Sequence, residues 1–173
     1  GAKRAPDTNA RIVGGGPIGI GTAILAKIAG ANITIRDTSP ARLERACAIV
    51  KGAKSHLVDA PRDTLPEAGF ETVFDATGNI HAMNAAIHDV AHGGTLCLVG
   101  VVKDDLVISD PEFHKRETTL VGSRNALKAD FDHVMAHMKS GDVPIKALNT
   151  HSAPFAEGVE KLDQWVHDRD DIV

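Results

Sequence analysis

Arg11-Ile12-Val13-Gly14-Gly15-Gly16-Pro17-Ile18-Gly19 is the stretch whose reading decides the fold. A short β-like run stops at a glycine triplet, and a helix-like stretch follows from Pro17 to about Ala29. Pro17 suits a helix start, where its missing N–H would lack an intrahelical partner anyway. Gly30 closes the helix as a C-terminal cap. The spacing of Gly14, Gly16 and Gly19 satisfies G-x-G-x-x-G, and here it follows a strand and opens a helix, the context that the pattern requires. Gly14 permits the tight turn, Gly16 lets a pyrophosphate approach the backbone, and Gly19 lets helix and strand pack closely. Amides at the helix start, aided by the helix dipole, then face the phosphate oxygens. Pro17 gives up one of those donors, so other amides of the loop must do the holding.

Moving outward, Ile33-Thr34-Ile35-Arg36-Asp37 reads as the second strand. Asp37 ends it, where a carboxylate can accept hydrogen bonds from both hydroxyls of an adenosine ribose and repel a 2′-phosphate. That predicts NAD rather than NADP. Arg36 and Arg42 leave the point open, since either could neutralise a 2′-phosphate if it pointed inward. The alternation continues with a helix over 40–51 capped by Ser39, a strand over 56–59, and a loop or broken helix over 60–70. A strand over 72–76, a helix over 81–90 and an apolar strand over 95–99 after a Gly93-Gly94 turn come next. Later elements are less regular: strands over 106–108 and 118–122, a helix over 129–140, an extended stretch over 142–154, and an amphipathic helix over 155–167. Strand and helix alternate five or six times, the pattern of a Rossmann-type, doubly wound parallel α/β sheet of about six strands with helices on both faces. Residues 1–9 read as a polar lead-in and 10–173 as a single dinucleotide-binding domain.

Composition narrows the function. The 173 residues are 43% hydrophobic and 24% charged, the balance of a globular domain. Net charge is −4 without a basic block, and aromatic residues are only 3%, which argues against a nucleic-acid partner. No apolar run is long enough to span a membrane, and the start is not a signal peptide. Cys47 and Cys97 form no metal or redox spacing and read as small apolar residues of a reducing compartment, the cytoplasm. The chain has no tyrosine, which excludes a mechanism built on a Tyr acid, as in short-chain dehydrogenases. Among nine histidines, His133 and His137 stand at i, i+4 in a helix-like stretch, and no cysteine or carboxylate support for a metal is evident beside them.

The residues resemble the zinc-type, medium-chain alcohol and polyol dehydrogenases. The glycine loop looks like that family's nucleotide loop, and Asp37-Thr38-Ser39-Pro40-Ala41-Arg42-Leu43-Glu44 looks like its stretch after the second strand. Phe74-Asp75-Ala76-Thr77-Gly78 and Gly93-Gly94-Thr95-Leu96-Cys97-Leu98-Val99-Gly100 resemble two further family segments. Phe113-His114-Lys115-Arg116-Glu117 followed by Gly122-Ser123-Arg124-Asn125-Ala126 resembles the sugar-acid and polyol branch. The resemblance implies a coenzyme-binding domain cut from a longer chain, with no catalytic residue and no metal ligand of its own. Catalytic zinc would belong to a separate, preceding domain of the same polypeptide. It implies that Gly14, Gly16, Pro17 and Gly19 form the pyrophosphate turn and that Ile18 packs against the nicotinamide. Asp37 would hold the adenosine ribose with Arg42 beside it, and Thr77 and Asn79 would border adenine and ribose. The backbone at Val99, Val101 and Val121 would orient the carboxamide. Leu106-Val107-Ile108 resembles the edge strand that pairs across a dimer axis. Two other classes share a glycine loop and a following acid: a nucleotide-sensing regulatory module and an S-adenosylmethionine-dependent methyltransferase. The segment 113–126 has no reason to exist in a pure sensor. A methyltransferase would end its sheet with a reversed strand.

Overall fold

The computed structural model describes residues 7–167. The first six residues of the expected lead-in and the last six of the expected domain lie outside them. The described chain divides into two compact units, one ending at Ala126 and the other beginning at Leu127.

The first unit is a six-stranded sheet. Its strands are β1 (Asn9–Val13), β2 (Asn32–Asp37), β3 (Lys54–Leu57), β4 (Phe70–Asp75), β5 (Val90–Leu98) and β6 (Thr119–Gly122), in the spatial order β3-β2-β1-β4-β5-β6. Every pairing is parallel. No strand runs in reverse among the described residues, against the methyltransferase expectation. The order reverses between β1 and β4, and that switch point opens a crevice at the carboxyl ends of the strands.

Helices cover both faces for a reason visible in β1. Side chains alternate across a strand, so Ile12 and Val13 point to opposite sides. A Cβ on Gly19 of α1 (Pro17–Ile28) would meet Ile12 at 3.5 Å, which puts α1 on the Ile12 face. Val13 instead packs with Val73, Leu96 and the Ala86 side chain of α3 (Ile80–Ala86). α2 (Pro40–Ile49) packs on β2 and β3, its Ser39 cap accepting from the Arg42 amide at 3.4 Å. Registers such as Ile35↔Ile12↔Phe74 stack apolar side chains across the central strands.

The Val13 face also buries charge. Arg11, at the centre of β1, is fully buried, and its Nη1 lies 2.9 Å from the buried Asp89 carboxylate. Asp89 also receives Arg62 at 2.7 Å and Arg36 at 3.4 Å. Arg11 Nη2 lies 2.9 Å from His56 Nδ1, while His56 Nε2 sits 3.3 Å from the Pro61 carbonyl. Burial lowers the Arg11 guanidinium to about 10 although Asp89 pulls it up. Burial likewise lowers the His56 imidazole, helped by the charge of Arg11.

Several sequence expectations need correction. Residues 106–108 form no strand: the Val107 amide donates to Asn84 Oδ1 at 2.9 Å, and Ile108 packs on the apolar cluster under α3. Strand β6 therefore ends the sheet. Gly93 and Gly94 lie inside β5 rather than in a turn, and the pairing with β4 shifts register between Phe70 and Thr72 to accommodate them. Strand β1 begins at Asn9, inside the expected lead-in, and β3 begins and ends two residues earlier than expected. The helix expected over 81–90 gives way to a 3₁₀ turn at Ile87–Asp89. A connecting helix, α4 (Asp110–Lys115), precedes β6.

The second unit is helical: α5 (Lys128–Ser140), a single turn α6 (Ile145–Leu148) within the stretch expected to be extended, and α7 (Gly158–His167) after a 3₁₀ turn at Phe155–Glu157. Gly141 ends α5 in the left-handed conformation that glycine favours. No described helix is long and apolar enough to cross a membrane.

Candidate coenzyme site

The glycine loop leaves β1 under tight constraint. Gly14 takes φ +102, open to glycine, and its amide donates to the Arg36 carbonyl at 2.8 Å. A Cβ there would press on Ala76 and Thr77 at 3.3 Å. A Cβ on Gly19 would overlap the Gly14 carbonyl, so the first turn of α1 closes against the loop only without one. At Gly16 the situation is the reverse. A Cβ would meet nothing within 4 Å, so space stands open above the helix N-terminus. Gly16 caps α1 with no side-chain hydrogen bond, and Pro17 occupies the first helical position. Helix geometry supplies no acceptor for the amides of Gly16, Ile18 and Gly19. Those donors and that opening suit an anionic, phosphate-bearing group.

Asp37 closes the loop from the side. Its Oδ2 accepts from the Gly15 amide at 2.7 Å and its Oδ1 from the Ser39 amide at 2.9 Å. The carboxylate thus shapes the loop, a duty that the sequence reading did not assign. Arg42 lies beside the loop: a Cβ on Gly15 would meet its carbonyl oxygen at 3.5 Å. Arg36 does not share that corner. Strand alternation turns it to the Val13 face, where it meets Asp89.

The far side of the crevice is built on Asp75, the last residue of β4 and fully buried. Its Oδ1 accepts from the Thr77 amide at 3.0 Å and the Thr77 hydroxyl at 2.9 Å. The Thr77 hydroxyl oxygen accepts from the Asn79 amide at 3.1 Å, and Asn79 Oδ1 caps α3 by accepting from His81 and Ala82. Burial pushes the Asp75 carboxyl up, against the pull of the Thr77 hydrogen bonds. Its Oδ2 has no hydrogen-bond partner among the described residues. The sequence reading quoted Asp75 within a family-like segment without giving it a role. An acid closing an apolar strand with threonine two residues on is the signal that could have found it.

The remaining candidates divide. Val101 is 84% exposed, and its carbonyl would lie 3.5 Å from a Cβ on Gly78, which places it at the rim. The Val99 amide is committed to the Asp75 carbonyl at 2.8 Å. Ile18 is exposed beside the open N-terminus of α1. Val121 pairs with Cys97 in the β5–β6 ladder, one residue before the end of β6. The structure therefore brings Gly14, Gly16, Asp37, Arg42 and Thr77 together. Among the described residues, no three of His, Cys, Asp and Glu gather to hold a metal ion. The zinc that the family resemblance implies has no ligand set there.

Residues 17–140 match the family model described as zinc-binding dehydrogenase. The chain belongs to that family. It is 40% identical to an L-galactonate-5-dehydrogenase of Escherichia coli K12, over 98% of this chain and 51% of that protein. It is 32% identical to a D-altritol 5-dehydrogenase of Agrobacterium fabrum, over 86% of this chain and 44% of that protein. The chain thus spans about half the length of the curated relatives it matches. A 2R,3R-butanediol dehydrogenase from Bacillus subtilis superposes with a TM-score of 0.89, covering 99% of this chain and 50% of that one. At 23% identity that likeness speaks for the fold alone. The dehydrogenase match agrees with what the sheet order and the glycine loop imply.

Proposed function

We propose that this chain is the coenzyme-binding half of a zinc-dependent, NAD-linked dehydrogenase that oxidises a secondary alcohol of a polyol or sugar acid. The observation that carries the reading is the corner where the Gly15 amide meets Asp37 beside the open N-terminus of α1. Gly16, Ile18 and Gly19 would hold the pyrophosphate through their amides. Asp37 would accept the adenosine ribose hydroxyls, and Arg42 would flank them. Thr77, Asn79 and the main chain of Val101 would border the rest of the coenzyme, with Ile18 against the nicotinamide. When bound, NAD supplies the ring carbon that accepts hydride, and these residues fix which face of the ring is presented. Preference for NAD over NADP rests on two features: Asp37 at the ribose corner, and Arg36 drawn to the opposite face by Asp89. The polyol or sugar-acid substrate class rests on the likeness to the L-galactonate and D-altritol relatives. Zinc would come from residues outside the described set, and the chain alone would bind NAD without oxidising alcohol. A homodimer formed by strand pairing would use an edge strand, β3 or β6, since residues 106–108 are not a strand.

Calorimetric titration of the purified chain with NADH, NADPH and S-adenosylmethionine tests the reading. NADH binding with discrimination against NADPH is expected. Binding of S-adenosylmethionine in place of NADH would overturn it, and zinc-dependent alcohol oxidation by this chain would overturn the predicted lack of activity.

A further inference from the structure

Asp75 is the one fully buried carboxyl at the crevice among the described residues, and the coenzyme contacts proposed above do not use it. Its position is unusual in how many segments it joins. The main-chain oxygen accepts from both Val99 at 2.8 Å and Gly100 at 2.9 Å, holding the end of β5. The next amide, of Ala76, donates to the Val13 carbonyl at 2.8 Å, holding the end of β1 immediately before the glycine loop. The side chain fixes the turn between them through Thr77, and Thr77 passes that order to Asn79 and the start of α3. Clearances across this knot are small. A Cβ on Gly100 would lie 2.6 Å from the Gly78 nitrogen, and one on Gly14 would lie 3.3 Å from Thr77 Cγ2. A shift of the 76–79 turn therefore moves both walls of the crevice. Solvent cannot substitute for the lost acceptor, because the carboxyl has no exposure.

We propose that Asp75 is a positioning residue for the coenzyme: its carboxyl oxygen locks the Thr77–Asn79 turn that sets the Gly14 loop against the end of β5. This rests on the NAD-binding reading above. The role belongs to an acceptor oxygen rather than to a negative charge. Oδ2 is buried without a hydrogen-bond partner among the described residues, which disfavours the ionised form, and burial shifts the carboxyl in that same direction. An amide carbonyl should therefore serve as well as the acid.

The test measures NADH affinity and thermal midpoint for the wild-type chain and for Asp75→Ala, Asp75→Asn, Thr77→Val and Phe70→Leu. Phe70 is buried at the other end of β4, so its variant reports the effect of lost stability alone. Asp75→Ala and Thr77→Val should each lose roughly tenfold or more in affinity, as expected when a buried hydrogen-bonding group is left unpaired. Asp75→Asn should stay within about threefold of wild type on the same argument. Phe70→Leu should lower the midpoint and leave affinity in place. Wild-type affinity in a folded Asp75→Ala, or equal losses in Asp75→Asn and Asp75→Ala, would overturn the proposal while leaving the NAD reading intact. An affinity loss in Phe70→Leu matching that of Asp75→Ala would do the same. Should Asp75→Ala fail to fold, Thr77→Val decides: affinity equal to wild type overturns the proposal. Absence of NADH binding by wild type would overturn the NAD reading itself.

Discussion

Asp37, at the end of β2, and Asp89, in the 3₁₀ turn before β5, are both buried acids, yet they stand in opposite environments. Asp37 accepts from main-chain amides at a corner with room beside it. Asp89 is enclosed by three guanidiniums on the other face. Strand β2 separates the two worlds within one residue step, sending Arg36 to Asp89 and Asp37 to the glycine loop. The difference teaches how one sheet serves two ends. The closed cluster spends every ionic partner on holding the fold. The open corner leaves donors at Gly16, Ile18 and Gly19 for something that is not protein.

The sharpest break in that contrast is Asp89→Ala. It leaves Arg11 charged and buried with its ion-pair partner gone, and should cost ~3–5 kcal/mol of stability in chemical denaturation. A loss below about 1 kcal/mol would mean that the cluster is better solvated than its burial implies. Gly19→Ala is the matching break on the open side. Its Cβ overlaps the Gly14 carbonyl, so the loop must shift, at a cost of roughly 1–3 kcal/mol. NADH affinity should fall more steeply than stability, and an unchanged dissociation constant would remove the loop from the site. Asp37→Ala is subtler, because it removes the Gly15 acceptor along with the ribose partner. NADH should weaken by about tenfold, the scale of one charge-assisted hydrogen bond, and NADPH by less, so the preference narrows. An unchanged ratio of the two affinities would take Asp37 out of coenzyme choice.

The smallest effect sharpens the closed side through pH. His56 is held neutral, with its value lowered from 6.5 by burial and by Arg11. As pH falls through 6.5, the unfolded chain takes up a proton that the folded chain refuses. Stability therefore drops from about pH 6.5 down to the lowered folded value and is fully present above that window. Denaturation midpoints across pH 5–7 should fall toward acid in wild type and less steeply in His56→Asn. Parallel slopes would show that His56 titrates normally.

Much of the open corner was legible because its determinants are local. The Gly14–Gly19 spacing, the β-branched run ending at Asp37, and Pro17 at a helix start all lie within a few residues of what they shape. What escaped depends on distant partners. Arg11 belongs to the β-like run, and nothing local to it signals the buried Asp89 that it meets. The apolar run Leu106-Val107-Ile108 fits a strand by pattern, and only Asn84 and the cluster under α3 decide otherwise. Gly93 and Gly94 signal a turn locally, but β4 and β6 draw their flanks into a longer strand. Asp75 and Thr77 carry a local signal two residues apart, but the ties of Asp75 to β1 and β5 show in no single segment.

The most direct test of the central claim is amide chemical-shift mapping of the isotope-labelled chain as NADH is added. The account predicts shifts at Gly16, Ile18, Gly19 and the Asp37 corner, spreading to Thr77, with Arg11, His56 and Asp89 unmoved. Shifts centred on the Arg11–Asp89 cluster, or none at the glycine loop under saturating NADH, would contradict it.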